Sequence, residues 1–145
     1  MEQRTHGILK KAAASELGRE GYTLFFEPAY SPLSRLEWSN FRPDVMGFAS
    51  GRDEIEVAFA ECETAPRLKR VREKTAKIKS NLSLQKCLNE RHCFRFLLVI
   101  PCGTLSRVVT SDIRGLWEIW IGNDRAQIVT KIPKMTGGSY KRQWP

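Results

Sequence analysis

The chain has 145 residues, 41% apolar and 28% charged, an ordinary globular usage that excludes wholesale disorder, collagen and an extended coiled coil and suits one domain rather than two. Twenty-four Lys and Arg against sixteen Asp and Glu give a net charge of +8, and no apolar run approaches the roughly 20 residues that span a bilayer. Met1 to His6 lacks the apolar stretch of a secretory signal, so a cytoplasmic protein with no membrane partner is expected.

Ile8 to Gly21 reads as a helix, with Ile8, Leu9, Ala12, Ala13 and Leu17 at helical spacing and Gly21 as the stop. Tyr22 to Phe26 is rich in β-formers and ends at Glu27-Pro28, a first strand. Ala29 to Phe41, with Pro32, Asn40 and three serines, is a loop long enough to have a role of its own. Arg42 to Phe48 begins a second strand, Ser50 to Asp53 supplies a turn, and Glu54 to Glu63 returns as the hairpin partner. On that return strand Ile55, Val57 and Phe59 share one face. A period of two carried onward puts Glu61 and Glu63 on the same apolar side, where two acids need a cation or hydrogen-bond partners.

Thr64-Ala65-Pro66 opens a long helix, with Thr64 as N-cap and Pro66 in the first turn. Its buried stripe is Leu68, Val71, Thr75, Ile78 and Leu82, and a basic ridge of Arg67, Arg70, Lys74 and Lys77 faces outward. Phe94 to Ile100, interrupted only by Arg95, reads as a central strand covered on both faces. Thr104 to Asp112 is a short helix, and Trp117 to Ile121 a last strand ended by Gly122-Asn123-Asp124. Trp38, Trp117, Trp120 and Trp144 are candidates to stack on unpaired bases, with filling core or forming a dimer contact as the favoured alternative for Trp117 and Trp120. Residues 1–134 thus form one α/β domain with a central mixed sheet flanked by helices, and 135–145 a basic, flexible C-terminal tail.

Charge is segregated along the chain. From Tyr22 to Glu63 eight acids face three bases, a net of −5, and from Arg67 to Lys86 eight bases face Glu73 alone, a net of +7. An acidic centre beside a basic segment suits a polyanion whose phosphates meet Lys and Arg while carboxylates hold a divalent cation. The cysteines, Cys62, Cys87, Cys93 and Cys102, form no C-x-x-C pair and have only His6 and His92 as imidazole companions. They read as buried, reduced thiols rather than zinc ligands.

Asp44 begins one hairpin strand and Glu61 and Glu63 end its partner, so antiparallel pairing brings three carboxylates together. Oxygen donors on rigid strands suit Mg²⁺ or Mn²⁺. The alternative is a structural cluster, with Asp44 holding a turn and the glutamates paired to Arg42 or Arg67. Pro43-Asp44, then Glu61-Cys62-Glu63 after a hairpin, then Thr64 and a basic helix resemble the PD-(D/E)xK nuclease superfamily of restriction-type enzymes and Holliday-junction resolvases, in a Glu-x-Glu form. The resemblance covers Ile8 to Ile100 in element order.

The resemblance implies a restriction-endonuclease-like three-layer α/β domain and a divalent-metal-dependent nuclease that hydrolyses phosphodiester bonds of DNA, with branched or junction DNA as candidate substrates. Asp44, Glu61 and the backbone carbonyl of Cys62 would hold Mg²⁺ or Mn²⁺. Glu63 stands where the family usually has a lysine and would serve as a ligand or position the water. Lys69 or Lys74 are candidates to restore the missing positive charge. Many members carry an acid on the first helix, for which Glu16 and Glu20, with Glu27 after the first strand, are the candidates, against simple surface exposure. Arg67, Lys69, Arg70, Lys74 and Lys77 would contact phosphates. The alternative is a catalytically degenerate module of the same fold that binds DNA or RNA without cleaving it, and basic charge alone also admits an RNA-processing role. Two symmetric incisions would require a homodimer.

Overall fold

A computed structural model describes residues 4–26, 43–51, 54–80 and 92–135. The loop Ala29 to Phe41, Glu27, Leu82, Cys87, Trp38, Trp144 and residues 136–145 of the tail lie outside the described residues. The elements are α1 (Arg4–Arg19), β1 (Thr23–Phe26), β2 (Val45–Ser50), β3 (Ile55–Cys62), α2 (Leu68–Lys79), β4 (His92–Pro101), a 3-10 turn (Leu105–Arg107), α3 (Ser111–Arg114), β5 (Trp117–Gly122) and β6 (Ile128–Ile132).

The six strands form one mixed sheet in chain order, β1 to β6. β1, β2 and β3 pair antiparallel, β4 and β5 join parallel, and β6 closes the far edge antiparallel. Alternation along the strands makes two cores. On one face Leu9, Ala13 and Leu17 of α1 pack on Val45, Ala60, Leu97 and Trp120. On the other, Val71 and Ile78 of α2 and Ile113 of α3 pack on Met46, Phe59, Leu98 and Trp117. The result is the three-layer α/β arrangement with a central mixed sheet that the sequence predicts.

Particular side chains fix the layers. Phe59, Phe94 and Phe96 form a triangle of stacked rings, with centroids 5.5 Å (Phe59–Phe94), 5.3 Å (Phe59–Phe96) and 6.4 Å (Phe94–Phe96) apart. Burying such a ring contributes about 1.5–3 kcal/mol. The Trp117 indole N–H donates to Thr75 Oγ1 at 2.9 Å, and the Thr75 hydroxyl donates to the Val71 carbonyl at 2.8 Å, so the polar atoms under α2 are satisfied. Gly21, at φ +98°, stops α1 as expected, since its left-handed conformation carries no Cβ penalty. Among the described residues no helix is long and apolar enough to cross a membrane.

The structure corrects or completes four expectations. Thr64 and Pro66 do not open the helix: the Glu63 N–H still donates to Val99 O at 2.9 Å, so 64–67 are needed to carry the chain from the sheet to the helix layer, and α2 begins at Leu68. Trp117 and Trp120 are fully buried on a strand flanked by β4 and β6, so of the alternatives they fill core. Gly122-Asn123-Asp124 ends β5 as expected, but it starts a hairpin turn in which Asn123 Oδ1 accepts from the Arg125 and Gln127 N–H groups, and a sixth strand not expected from the sequence, β6, follows. Of the cysteines, Cys62 is buried but Cys93 is half-buried and Cys102 exposed.

Candidate active site

The hairpin geometry assembles the site. The Asp44 N–H donates to Ala60 O at 3.0 Å, which places the start of β2 beside the end of β3. The Cys62 N–H then donates to Asp44 Oδ2 at 2.8 Å, fixing that carboxylate against the neighbouring strand. Along β3, Ala58, Ala60 and Cys62 belong to the α1-side core and Phe59 to the α2-side core. Glu61 and Glu63 accordingly turn toward α2, and both are buried at 5% and 6% exposure.

Lys74 of α2 meets them there. Its ammonium donates to Glu61 Oε2 at 2.5 Å and to Glu63 Oε2, bridging the two acids. Lys74 therefore does not stand on an outward ridge with Arg67, Arg70 and Lys77, which are exposed. Burial of two acids on an apolar sheet face draws Lys74 inward. Arg70 Nε lies 3.4 Å from Glu63 Oε1, so the glutamates pair with Lys74 and Arg70 rather than with Arg67. Glu61 Oε1 has no hydrogen-bond partner among the described residues although it is shut off from solvent.

The electrostatics follow from this packing. Burial pushes Glu61 up to about 7, with Asp44 and Glu63 pushing the same way against the pull of Lys74. Burial alone would lower the Lys74 ammonium, but Glu61 and Glu63 outweigh it and hold it above the ordinary lysine range. Cys62 is pushed up by burial first and by Asp44 and Glu61 next, so it is no nucleophile here.

A cleft of ≈ 630 Å³ opens over the cluster, with Asp44, Glu61, Glu63 and Lys74 at its floor and Arg67, Lys69 and Arg70 along its rim. Lys77 does not line it. Glu16 and Glu20 are elsewhere: Lys131 binds them at 2.6 and 2.8 Å at the other end of α1. The place near Asp44 on the first helix belongs to His6, whose Nε2 is 3.4 Å from Asp44 Oδ1. Sequence reasoning missed His6 because it began the helix at Ile8; the i, i+4 step from His6 to the buried Lys10 carries the signal.

Among the described residues no three His, Cys, Asp or Glu side chains stand close enough together to hold a metal ion as they are arranged. The donor chemistry nonetheless fits a hard divalent ion: carboxylate oxygens on rigid strands, one of them buried without a partner, around a position already neutralised by an ammonium.

No family model matches the chain, and no curated protein matches it. Among solved structures it is similar to an XisH family protein from Nostoc punctiforme PCC 73102, at 12% identity over 88% of this chain and 98% of that one with a TM-score of 0.48. It is also similar to an fdxN element excision controlling factor protein from Anabaena variabilis, at 10% identity over 90% and 99% of the two chains with a TM-score of 0.49.

Proposed function

We propose that this chain is a divalent-metal-dependent nuclease of the PD-(D/E)xK type, hydrolysing phosphodiester bonds of DNA in the cleft over β3. One observation carries the reading: Asp44, Glu61 and Glu63 converge with Lys74 beneath a rim of Arg67, Lys69 and Arg70. An acidic floor under a basic rim is what a metal-assisted attack on a polyanion needs.

Asp44 and Glu61, with the Cys62 carbonyl, would hold Mg²⁺ or Mn²⁺. Such an ion, when bound, lowers the pKa of its water and stabilises charge developing on the phosphate. The Cys62 N–H keeps the Asp44 carboxylate in one orientation, the kind of support that ligating carboxylates require. Lys74 supplies from α2 the positive charge that the family usually places where Glu63 stands. Arg67, Lys69 and Arg70 anchor phosphates: all three are exposed, and Arg70 reaches the rim while also lying 3.4 Å from Glu63 Oε1. Arg67→Ala or Arg70→Ala should each reduce the salt slope of DNA binding by about 0.9, read from affinities at a series of salt concentrations.

A second reading, binding of DNA or RNA without cleavage, is favoured by one detail: the Lys74 ammonium already satisfies Glu61 and Glu63 as a cation would. Incubation with supercoiled, linear, single-stranded and branched DNA, each in Mg²⁺, Mn²⁺ and EDTA, separates the two. The nuclease reading expects cutting that EDTA stops and that Asp44→Ala and Glu61→Ala lose. Tight, salt-sensitive binding with no cutting in either metal would replace it with the binding module.

A further inference from the structure

We infer that Lys74 couples cation binding to phosphate binding in this cleft: its ammonium holds the gap between Glu61 and Glu63 until a divalent cation takes those carboxylates, and is then released to a phosphate of the nucleic acid. The inference rests on the nuclease reading above and deepens it, because it makes the two ligands of the site depend on each other.

Three features of the geometry lead to it. One ammonium serves two buried carboxylates at once, so a cation drawn to Glu61 would meet a like charge already held on that carboxylate at Oε2. The other oxygen, Oε1, is buried without a partner among the described residues, so Glu61 keeps unused affinity for a positive charge even with Lys74 in place. Lys74 is also the cation best able to move between the two ligands. Its side chain is 21% exposed, it lines the cleft, and its stem of four methylenes ends in a charge with no fixed plane.

The groups around it set the direction of travel. Arg67, Lys69 and Arg70 stand on the rim and would gather phosphate there with or without a metal. A phosphate held on that rim offers the Lys74 ammonium new oxygens, and each ammonium that leaves the floor uncovers the carboxylates. Cation and nucleic acid thus bind better together than apart, and linkage requires the enhancement to be equal in both directions.

The test is a calorimetric titration of Mn²⁺ into the free chain and into the chain saturated with a phosphorothioate DNA duplex, in one and the same buffer. For the unaltered chain the duplex should raise Mn²⁺ affinity about tenfold. In Lys74→Met the free chain should already bind Mn²⁺ about tenfold more tightly, and the duplex should add nothing further. Lys74→Arg, which keeps the competing charge, should retain a difference between free and DNA-bound chain. A phosphate oxygen that merely joined the metal would preserve the enhancement in Lys74→Met, and that result would overturn the inference. Weaker Mn²⁺ binding by a folded Lys74→Met would do the same. In both cases EDTA-sensitive cutting that depends on Asp44 would leave the nuclease reading intact. Absence of Mn²⁺ binding by the chain and by Lys74→Met alike would overturn both. Should Lys74→Met fail to fold, judged by circular dichroism, the unaltered chain decides: Mn²⁺ affinity indifferent to the duplex refutes the coupling.

Discussion

Two clusters of acids and bases sit on this sheet, and they differ in one respect. At the far end of α1, Arg95 donates to both oxygens of Glu118 at 2.8 Å and to Glu20 Oε1 at 2.8 Å. Lys131 binds the remaining oxygens, Glu20 Oε2 and Glu16 Oε2, and Arg19 lies 3.5 Å from Glu16 Oε1. Every carboxylate oxygen there meets a cationic group, and the Arg95 guanidinium also lies over Tyr22 and Trp120, each ring centroid 5.9 Å away. At the cleft the Lys74 ammonium is shared by two glutamates, Glu61 Oε1 is left without a partner among the described residues, and an open cleft lies above. A saturated cluster fastens a helix to a sheet. An unsaturated one under an open cleft keeps affinity for something that is yet to bind.

The largest effect that would break this contrast is on chemistry. Asp44→Asn and Glu61→Gln should each lower DNA cleavage by about a thousandfold or more, measured as initial rates in Mg²⁺, because each removes an ionised oxygen donor from the floor. Neither should lower the melting temperature much, since Asn and Gln each keep an oxygen that can accept the hydrogen bond from the Cys62 N–H or the Lys74 ammonium. Arg95→Ala should do the reverse. It leaves Glu118 and Glu20 without their main partner and should cost about 2 kcal/mol of stability in denaturant melts, with cleavage per folded molecule unchanged.

The contrast sharpens with pH. Glu61 in the folded chain holds its proton up to about 7, against an ordinary 4.5. Between those values the folded chain binds more protons than the unfolded one, so this group's contribution to stability grows as pH falls through 7 and levels off below 4.5. The gain is up to about 3 kcal/mol, and Glu61→Gln should flatten it. Cation binding, which needs the ionised form, should weaken over the same interval. The smallest effect belongs to Lys131→Ala, whose partly exposed pairs with Glu16 and Glu20 should be worth no more than about 1 kcal/mol in the same melts.

Much of this was legible in the sequence, for physical reasons that can be named. The alternation Val57, Phe59, Glu61, Glu63 forces the two acids onto an apolar face, and a tight hairpin forces Asp44 beside them. Period and chain connectivity decide both. The choice between Lys69 and Lys74 was not legible, because it depends on where α2 begins. A capping pattern at Thr64 suggested an early start, and the Glu63–Val99 hydrogen bond delayed it to Leu68. β6 was hidden because it is an edge strand with only partial burial, so Ile128 to Ile132 shows no clean alternation. Glu16 and Glu20 looked like first-helix acids for the site. Only the pairing of β5 with β6 reveals Lys131 as their partner.

The central claim is that the unsaturated cluster does the chemistry and the saturated one holds the fold. It is tested most directly by nicking of supercoiled DNA in Mg²⁺ by the unaltered chain, Asp44→Asn and Arg95→Ala, each normalised to its folded fraction. The account predicts equal nicking by the unaltered chain and Arg95→Ala, and none by Asp44→Asn or in EDTA. Nicking that survives in Asp44→Asn, or that is lost in a folded Arg95→Ala, would contradict it.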